Sequence, residues 1–60
     1  MIYHAQIMKY GNGYSALVLE EPGVIAAADT LEATQALIAE ALQFHLHLEA
    51  EPEMEFLRSA

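Results

Sequence analysis

Three histidines and nine carboxylates are the side chains of this 60-residue chain that could perform acid–base or metal chemistry. His45 and His47 are two residues apart, which places them about 200° apart on a helix. Two ligands of one ion need a spacing of three or four residues there, so this pair cannot share a metal ion within one chain. We expect His45 to be partly buried and hydrogen-bonded, or to lie at an interface, rather than to act as a ligand or catalytic base. We expect His47 to lie on the solvated face and His4 to be a cross-strand pairing partner.

Six of the nine carboxylates form two groups, one beside a Pro-Gly turn and one after the apolar part of the chain. Adjacent acids in such places are usually solvated charge, although charge of one sign steers association with a basic protein. A divalent ion held by Glu20, Glu21 and His4 would instead indicate an enzyme. We expect partner binding, and the choice between the two groups is open. The candidate partner-binding residues are Glu20, Glu21, Glu51, Glu53 and Glu55.

The sequence offers no nucleophile and no cofactor motif. The chain has no cysteine, and no His/Asp arrangement accompanies Ser15. The segment Gly11-x-Gly13-x-x-Ala16 superficially matches a dinucleotide-binding loop, but that motif needs a following helix, and the residues after it have strand character. We therefore expect no catalytic residue, no metal, no cofactor and no enzymatic activity.

Two strands and a third, shorter strand fill the first half of the chain. Residues 2–9 and 14–20 favour a pleated sheet and flank Gly11-Asn12-Gly13, which predicts a β-hairpin whose tyrosines, Tyr10 and Tyr14, meet near the turn. Pro22-Gly23 predicts a turn before a third strand at 24–28. Neither face of the second strand is plainly polar, so this strand should be central in the sheet.

The second half of the chain predicts one long helix. Asp29-Thr30-Leu31-Glu32 is typical of a capping box with Asp29 as the N-cap, and residues 30–50 contain no glycine or proline. The apolar arc of this helix is wider than one sheet face can cover. We divide the arc into a Leu31 stripe (Leu31, Ile38, Leu42, Leu46) and a Phe44 stripe (Leu37, Ala41, Phe44, Leu48). One stripe should contact the sheet and the other a second chain, and the pattern does not decide which.

The composition indicates that the chain does not act alone. It is 55% hydrophobic and only 18% charged, and a chain this short buries only about 60% of its unfolded surface. We expect a homodimer or higher even oligomer, with Leu37, Ala41, Phe44 and Leu48 as the candidate interface. The net charge of −7 repels nucleic acid and anionic membranes and favours a basic partner. No export signal or membrane-spanning run is evident, which predicts a cytoplasmic protein.

The order of these features resembles the N-terminal domain of the HicB-like antitoxins. The matching residues are Tyr3, Gly13-Tyr14, Pro22-Gly23, the run Asp29-Thr30-Leu31-Glu32-Ala33, and Glu40-Ala41-Leu42. Seven residues separate Tyr14 from Pro22 and five separate Gly23 from Asp29, as in that family. The resemblance covers about residues 3 to 50.

The resemblance implies a single α+β domain over residues 1–60, with one long helix packed on a three-stranded antiparallel sheet (β-β-β-α), sometimes likened to a partial RNase H-like fold. Independently of the resemblance, the alternation of Met54, Phe56 and Arg58 with Glu55 and Leu57 predicts that the tail, residues 51–60, forms a short fourth strand or an arm on a neighbour. The implied function is that of an antitoxin that covers the active surface of a small basic RNA-cleaving toxin of the HicA type. The segment after Pro52 is too short for the DNA-binding domain of many family members. The alternative is an orphan homo-oligomeric domain with another interaction role.

Overall fold

One helix packs on one face of a four-stranded sheet in the computed structural model, which describes residues 1–58. The strand order is β3-β2-β1-β4. The elements in chain order are β1 (Ile2–Tyr10), β2 (Gly13–Val18), β3 (Ile25–Ala28), α1 (Leu31–Leu46) and β4 (Glu53–Arg58). The predicted α+β class is confirmed, and β2 is central as expected.

The sheet is mixed, and the predicted sheet of three antiparallel strands is incomplete. The tail forms β4, which pairs in parallel with β1 from Ile2 opposite Glu53 to Ile7 opposite Arg58. The physical reason is the crossover: α1 returns the chain across the sheet, so β4 runs in the direction of β3 and hence of β1. Residues 59 and 60 of the predicted tail lie outside the described residues.

The hairpin between β1 and β2 turns on two residues, Gly11 and Asn12. Gly11 has a φ of 60°, a conformation that glycine adopts at little cost. Tyr10 pairs with Gly13, and Tyr14 pairs with Lys9. The predicted contact between Tyr10 and Tyr14 is therefore wrong, because the two-residue turn sets them one register step apart and on opposite faces.

The core lies between the sheet and the Leu31 stripe. Ile38 and Leu42 are fully buried, and Leu31 and Leu46 pack against the same cluster. The strands contribute mainly small or β-branched side chains, which let α1 lie close to β2 and β3. These strand and loop residues are Ala5, Ile7, Ala16, Val18 and Val24. The open choice between the two helix stripes is thus settled, with the Phe44 stripe on the outside.

Both ends of α1 differ from the sequence prediction. The N-cap is Thr30, whose hydroxyl oxygen accepts from the Ala33 N–H at 3.1 Å, and Asp29 precedes it. At the other end His47 adopts a left-handed conformation, and the Leu48 N–H donates to the Gln43 carbonyl at 3.0 Å, as in a Schellman motif. The helix therefore ends at Leu46, four residues before the predicted end at 50. No helix within residues 1–58 is long and apolar enough to cross a membrane.

Candidate partner-binding surfaces

The two groups of acids predicted to bind a partner meet at one end of the molecule. Parallel pairing sets Glu53 beside Ile2 and Glu55 beside His4, at the start of β1. On the other side of β1, the Leu19 N–H donates to the His4 carbonyl at 2.8 Å, which brings in the loop that carries Glu20. We call this region the acidic end. Its carboxylates are Glu20, Glu21, Glu49, Glu51, Glu53 and Glu55.

The charge of the chain is polarised along the strands. The acidic end carries six of the nine acids and neither lysine nor arginine. Lys9 pairs with Tyr14 beside the hairpin, and Arg58 pairs with Ile7 at the far end of β4. The lysine and the arginine of the chain thus lie away from the acidic end, next to the hairpin half of the sheet.

His4 and Glu20 form the best-defined polar contact of the acidic end. The Glu20 carboxylate accepts from the His4 backbone N–H at 2.8 Å, and its second oxygen lies 2.5 Å from the His4 Nδ1. The Glu55 carboxylate is 3.9 Å from the His4 Nε2. The hydrogen bond with Glu20 is the main reason that the pKa of His4 is raised above 6.5, and the same bond lowers the pKa of Glu20 below 4.5.

A second histidine, near the end of α1, lies close to the loop that carries Glu20 and Glu21. The His45 Nε2 lies 3.5 Å from a Glu21 carboxylate oxygen, and both side chains remain open to solvent. His45 is more exposed than predicted, because Leu42 and Leu46 rather than His45 face the sheet. The alternative that His45 lies at an interface stays a prediction. His47, expected on the solvated face, is exposed.

The acidic end is suited to binding a basic surface. Within residues 1–58 no three histidine or acidic side chains are arranged to hold a metal ion. Glu51, which lies just before β4, and Glu53 and Glu55, which lie on β4, are exposed. A row of exposed carboxylates attracts a cationic surface and can accept hydrogen bonds from its lysine and arginine side chains.

The Phe44 stripe, predicted as the interface between copies, lies on the outer surface of α1. Phe44 is 74% exposed, Leu37 and Leu48 are also exposed, and Ala41 is partly buried. Phe44 and Leu48 line a shallow groove together with Glu40, Gln43 and His47. Leu48, the last residue of the stripe, lies just past the end of α1 and directly precedes Glu49 of the acidic end.

A second exposed apolar surface was not identified from the sequence. It lies on the face of the sheet opposite α1, and we call it the open face. Its apolar side chains are Ile2, Met8 and Tyr10 of β1, Leu17 of β2, Ile25 of β3 and Leu57 of β4. In the sequence, neither face of β2 is plainly polar. This pattern indicated a central strand, but it did not show that one face of the sheet is both apolar and uncovered.

Comparison of the chain with models of protein families, with curated proteins and with solved structures finds no significant match. The surfaces described above are therefore the basis on which a function is assigned.

Proposed function

We propose that this chain is an antitoxin-like protein-binding module that neutralises a small basic RNA-cleaving toxin of the HicA type by covering its active surface. The observation that carries the proposal is the acidic end, where both groups of acids meet. An RNA-cleaving protein must present a cationic surface to the phosphate backbone of its substrate. A cluster of carboxylates can occupy that same surface and exclude RNA from it.

Exposed apolar side chains near the acidic end could hold a partner that the charges attract. Charge by itself mainly accelerates encounter, whereas a lasting complex needs desolvated apolar contacts. Phe44 and Leu48 supply exposed apolar surface beside the acids at the end of α1. A basic partner that contacts the acidic end could bury Phe44 in the same interface, and aromatic side chains are enriched at such positions.

The order of elements also supports the resemblance to the HicB-like antitoxins. A hairpin, a short third strand and a helix that begins after Asp29 follow one another as the matched residues imply. In addition, β4 pairs in parallel with β1. We include in the proposal that the fold is HicB-like, that is, a partial RNase H-like fold. The chain acts by binding alone, without chemistry of its own.

The proposal predicts that a neighbouring reading frame encodes a short basic protein, and co-expression with that protein tests it; absence of such a reading frame would favour the orphan oligomer described below. The wild-type chain should relieve the growth arrest that the basic protein causes. A triple variant, Glu51→Gln, Glu53→Gln and Glu55→Gln, should relieve it less, because these exposed acids belong to the acidic end. Growth arrest that the wild-type chain does not relieve would contradict the proposal.

A matched control separates the position of the acids from the total charge. Glu53→Gln combined with Glu55→Gln is compared with Asp29→Asn combined with Glu32→Gln, which removes two charges at exposed positions away from both the acidic end and the groove beside Phe44. This control variant should protect as well as the wild-type chain. Equal loss of protection in both double variants would mean that overall charge, and not the acidic end, determines binding.

The second candidate function is an orphan homo-oligomeric domain with another interaction role. Two exposed apolar surfaces on opposite sides of one small domain favour it, since surface of this kind is usually covered in an assembly. The candidate predicts that the purified chain self-associates and that no basic protein binds it. Tight binding of the neighbouring basic protein would exclude this candidate as the main role.

A further inference from the structure

We propose that the open face is the contact between two copies of this chain, packed sheet on sheet about a two-fold axis. This inference goes beyond toxin binding and does not depend on it. Tyr10 is 81% exposed and Ile25 is 65% exposed, although both lie on a sheet face with Leu17 and Leu57. The single helix that the structure describes lies on the other face and cannot cover them.

The pattern of side chains on the open face is complementary to itself. Cross-strand pairing aligns Ile25, Leu17, Gln6 and Leu57 in one row across all four strands. A two-fold axis between the sheets and along this row sets each of these residues against its own copy. On β1 the same axis sets Ile2 against the partner's Tyr10, and His4 against the partner's Met8, because each pair is equally spaced about Gln6.

Two two-fold axes could relate the packed sheets, one across the strands and one along them. The charges of the open face favour the axis across the strands. The acids of the open face, Glu53 and Glu55, lie at the acidic end, and its hairpin half carries Met8, Ser15 and Ala27. An axis along the strands would stack two acidic ends on each other, which like-charge repulsion disfavours. The axis across the strands sets each acidic end over the hairpin half of the other copy. A chain with a net charge of −7 can then dimerise with its acidic ends apart.

The size of the open face fits a dimer of moderate affinity. Four strands about 4.8 Å apart, each contributing about six residues of about 3.4 Å, give a patch of about 19 by 20 Å. Because side chains add relief to this patch, two copies would bury on the order of 1,000 Å², the lower range of specific interfaces. Aligned sheets in such a sandwich lie about 10 Å apart, with interdigitating side chains.

Charge reversal at Ile25 tests the two-fold arrangement with the full chain. Light scattering at about 100 µM, a concentration suited to an interface of this size, should show that the wild-type chain is a dimer. Ile25→Glu and Ile25→Lys should each be monomeric, because each brings two like charges together across the axis. A mixture of the two variants should recover the dimer, since the opposite charges then face each other. Recovery of this kind requires that residue 25 lies against its own copy.

Leu57→Glu and Leu57→Lys provide a second pair at the other edge of the sheet, and circular dichroism shows whether each variant is folded. Phe44→Glu is the matched control on the outer surface of α1 and should remain dimeric. A monomeric wild-type chain would overturn the proposal. Folded charge-reversal variants that stay monomeric when mixed would also overturn it. If Phe44→Glu were monomeric and Ile25→Glu still dimeric, the proposal would be overturned, and the Phe44 stripe would be the contact between copies.

Discussion

Thr30 shows how one side chain determines where the helix begins. Its hydroxyl oxygen accepts from the Ala33 N–H, and its carbonyl accepts from the Thr34 hydroxyl at 2.8 Å. Asp29, one residue earlier, was the predicted cap, because both residues belong to the favoured N-cap types. Which of two adjacent candidates becomes the cap depends on the path of the chain out of β3, and the sequence pattern does not define that path.

We therefore predict that Thr30→Ala lowers the free energy of unfolding by about 1 kcal/mol, since it removes the cap acceptor. For a domain of this size the melting midpoint should fall by about 4 to 8 °C. Asp29→Ala is the control and should change the midpoint much less. Reversible thermal unfolding measures both variants, and a larger effect at Asp29 would contradict the assignment of Thr30.

The contact between His4 and Glu20 should make stability depend on pH. The pKa of His4 is raised, so its contribution is complete below pH 6.5 and disappears as the pH rises through the pKa of the folded state. The pKa of Glu20 is lowered, so its contribution is present above pH 4.5 and disappears as the pH falls through its folded-state pKa. The pair should therefore stabilise the fold most between pH 4.5 and 6.5.

An NMR titration of the His4 ring in the wild-type chain and in Glu20→Gln measures this coupling. The pKa of His4 should decrease in the variant, because the carboxylate that stabilises the imidazolium is gone. Glu40→Gln, on the exposed surface of α1, should leave the His4 titration unchanged. An identical His4 titration in the wild-type chain and Glu20→Gln would show that the contact is not formed in solution.

At the scale of the elements, the local pattern predicted three strands and a helix, and the differences arise where distant contacts decide. Glycine and asparagine located the hairpin, and the 3.6-residue period located α1. Glycine in a left-handed conformation usually marks the end of a helix. Here His47 occupies that position, so the sequence contained no sign that the helix ends at Leu46. The pairing of β4 with β1 joins residues about 50 positions apart and has no local signature.

The division of the helix into two stripes leads to a prediction about stability. Leu42 is fully buried against the sheet, whereas Leu37 is 44% exposed on the Phe44 stripe. Leu42→Ala should lower the free energy of unfolding by about 2 to 5 kcal/mol, a large part of the total stability of so short a chain. Leu37→Ala should cost much less. Urea denaturation compares the two variants, and a similar loss in both would contradict the orientation of α1.

At the scale of the whole molecule, the fold gathers residues that the sequence left apart. The two groups of acids were alternatives as candidate binding sites, but β1 lies between the elements that carry them and brings both to one end. The individual acids were identifiable from the sequence, whereas their convergence required the register of β4. In the proposed dimer the two acidic ends point in opposite directions, which keeps their like charges apart.

Association with that partner should be steered by the acidic end. The association rate should fall as the salt concentration rises from about 50 to about 500 mM, because the Debye length shortens from more than 10 Å to less than 5 Å. The dissociation rate, which depends on desolvated apolar contacts, should change less. Surface-immobilised binding measurements give both rates, and an association rate independent of salt would contradict electrostatic steering.

We propose that this chain inhibits a basic ribonuclease by covering its RNA-binding surface. The proposal predicts a short basic protein encoded in a neighbouring reading frame, and the most direct test is a titration of purified chain into an RNA-cleavage assay of that protein. We expect cleavage to stop near one chain per basic protein, with excess RNA able to compete. Cleavage that continues at saturating concentrations of the chain would contradict the claim.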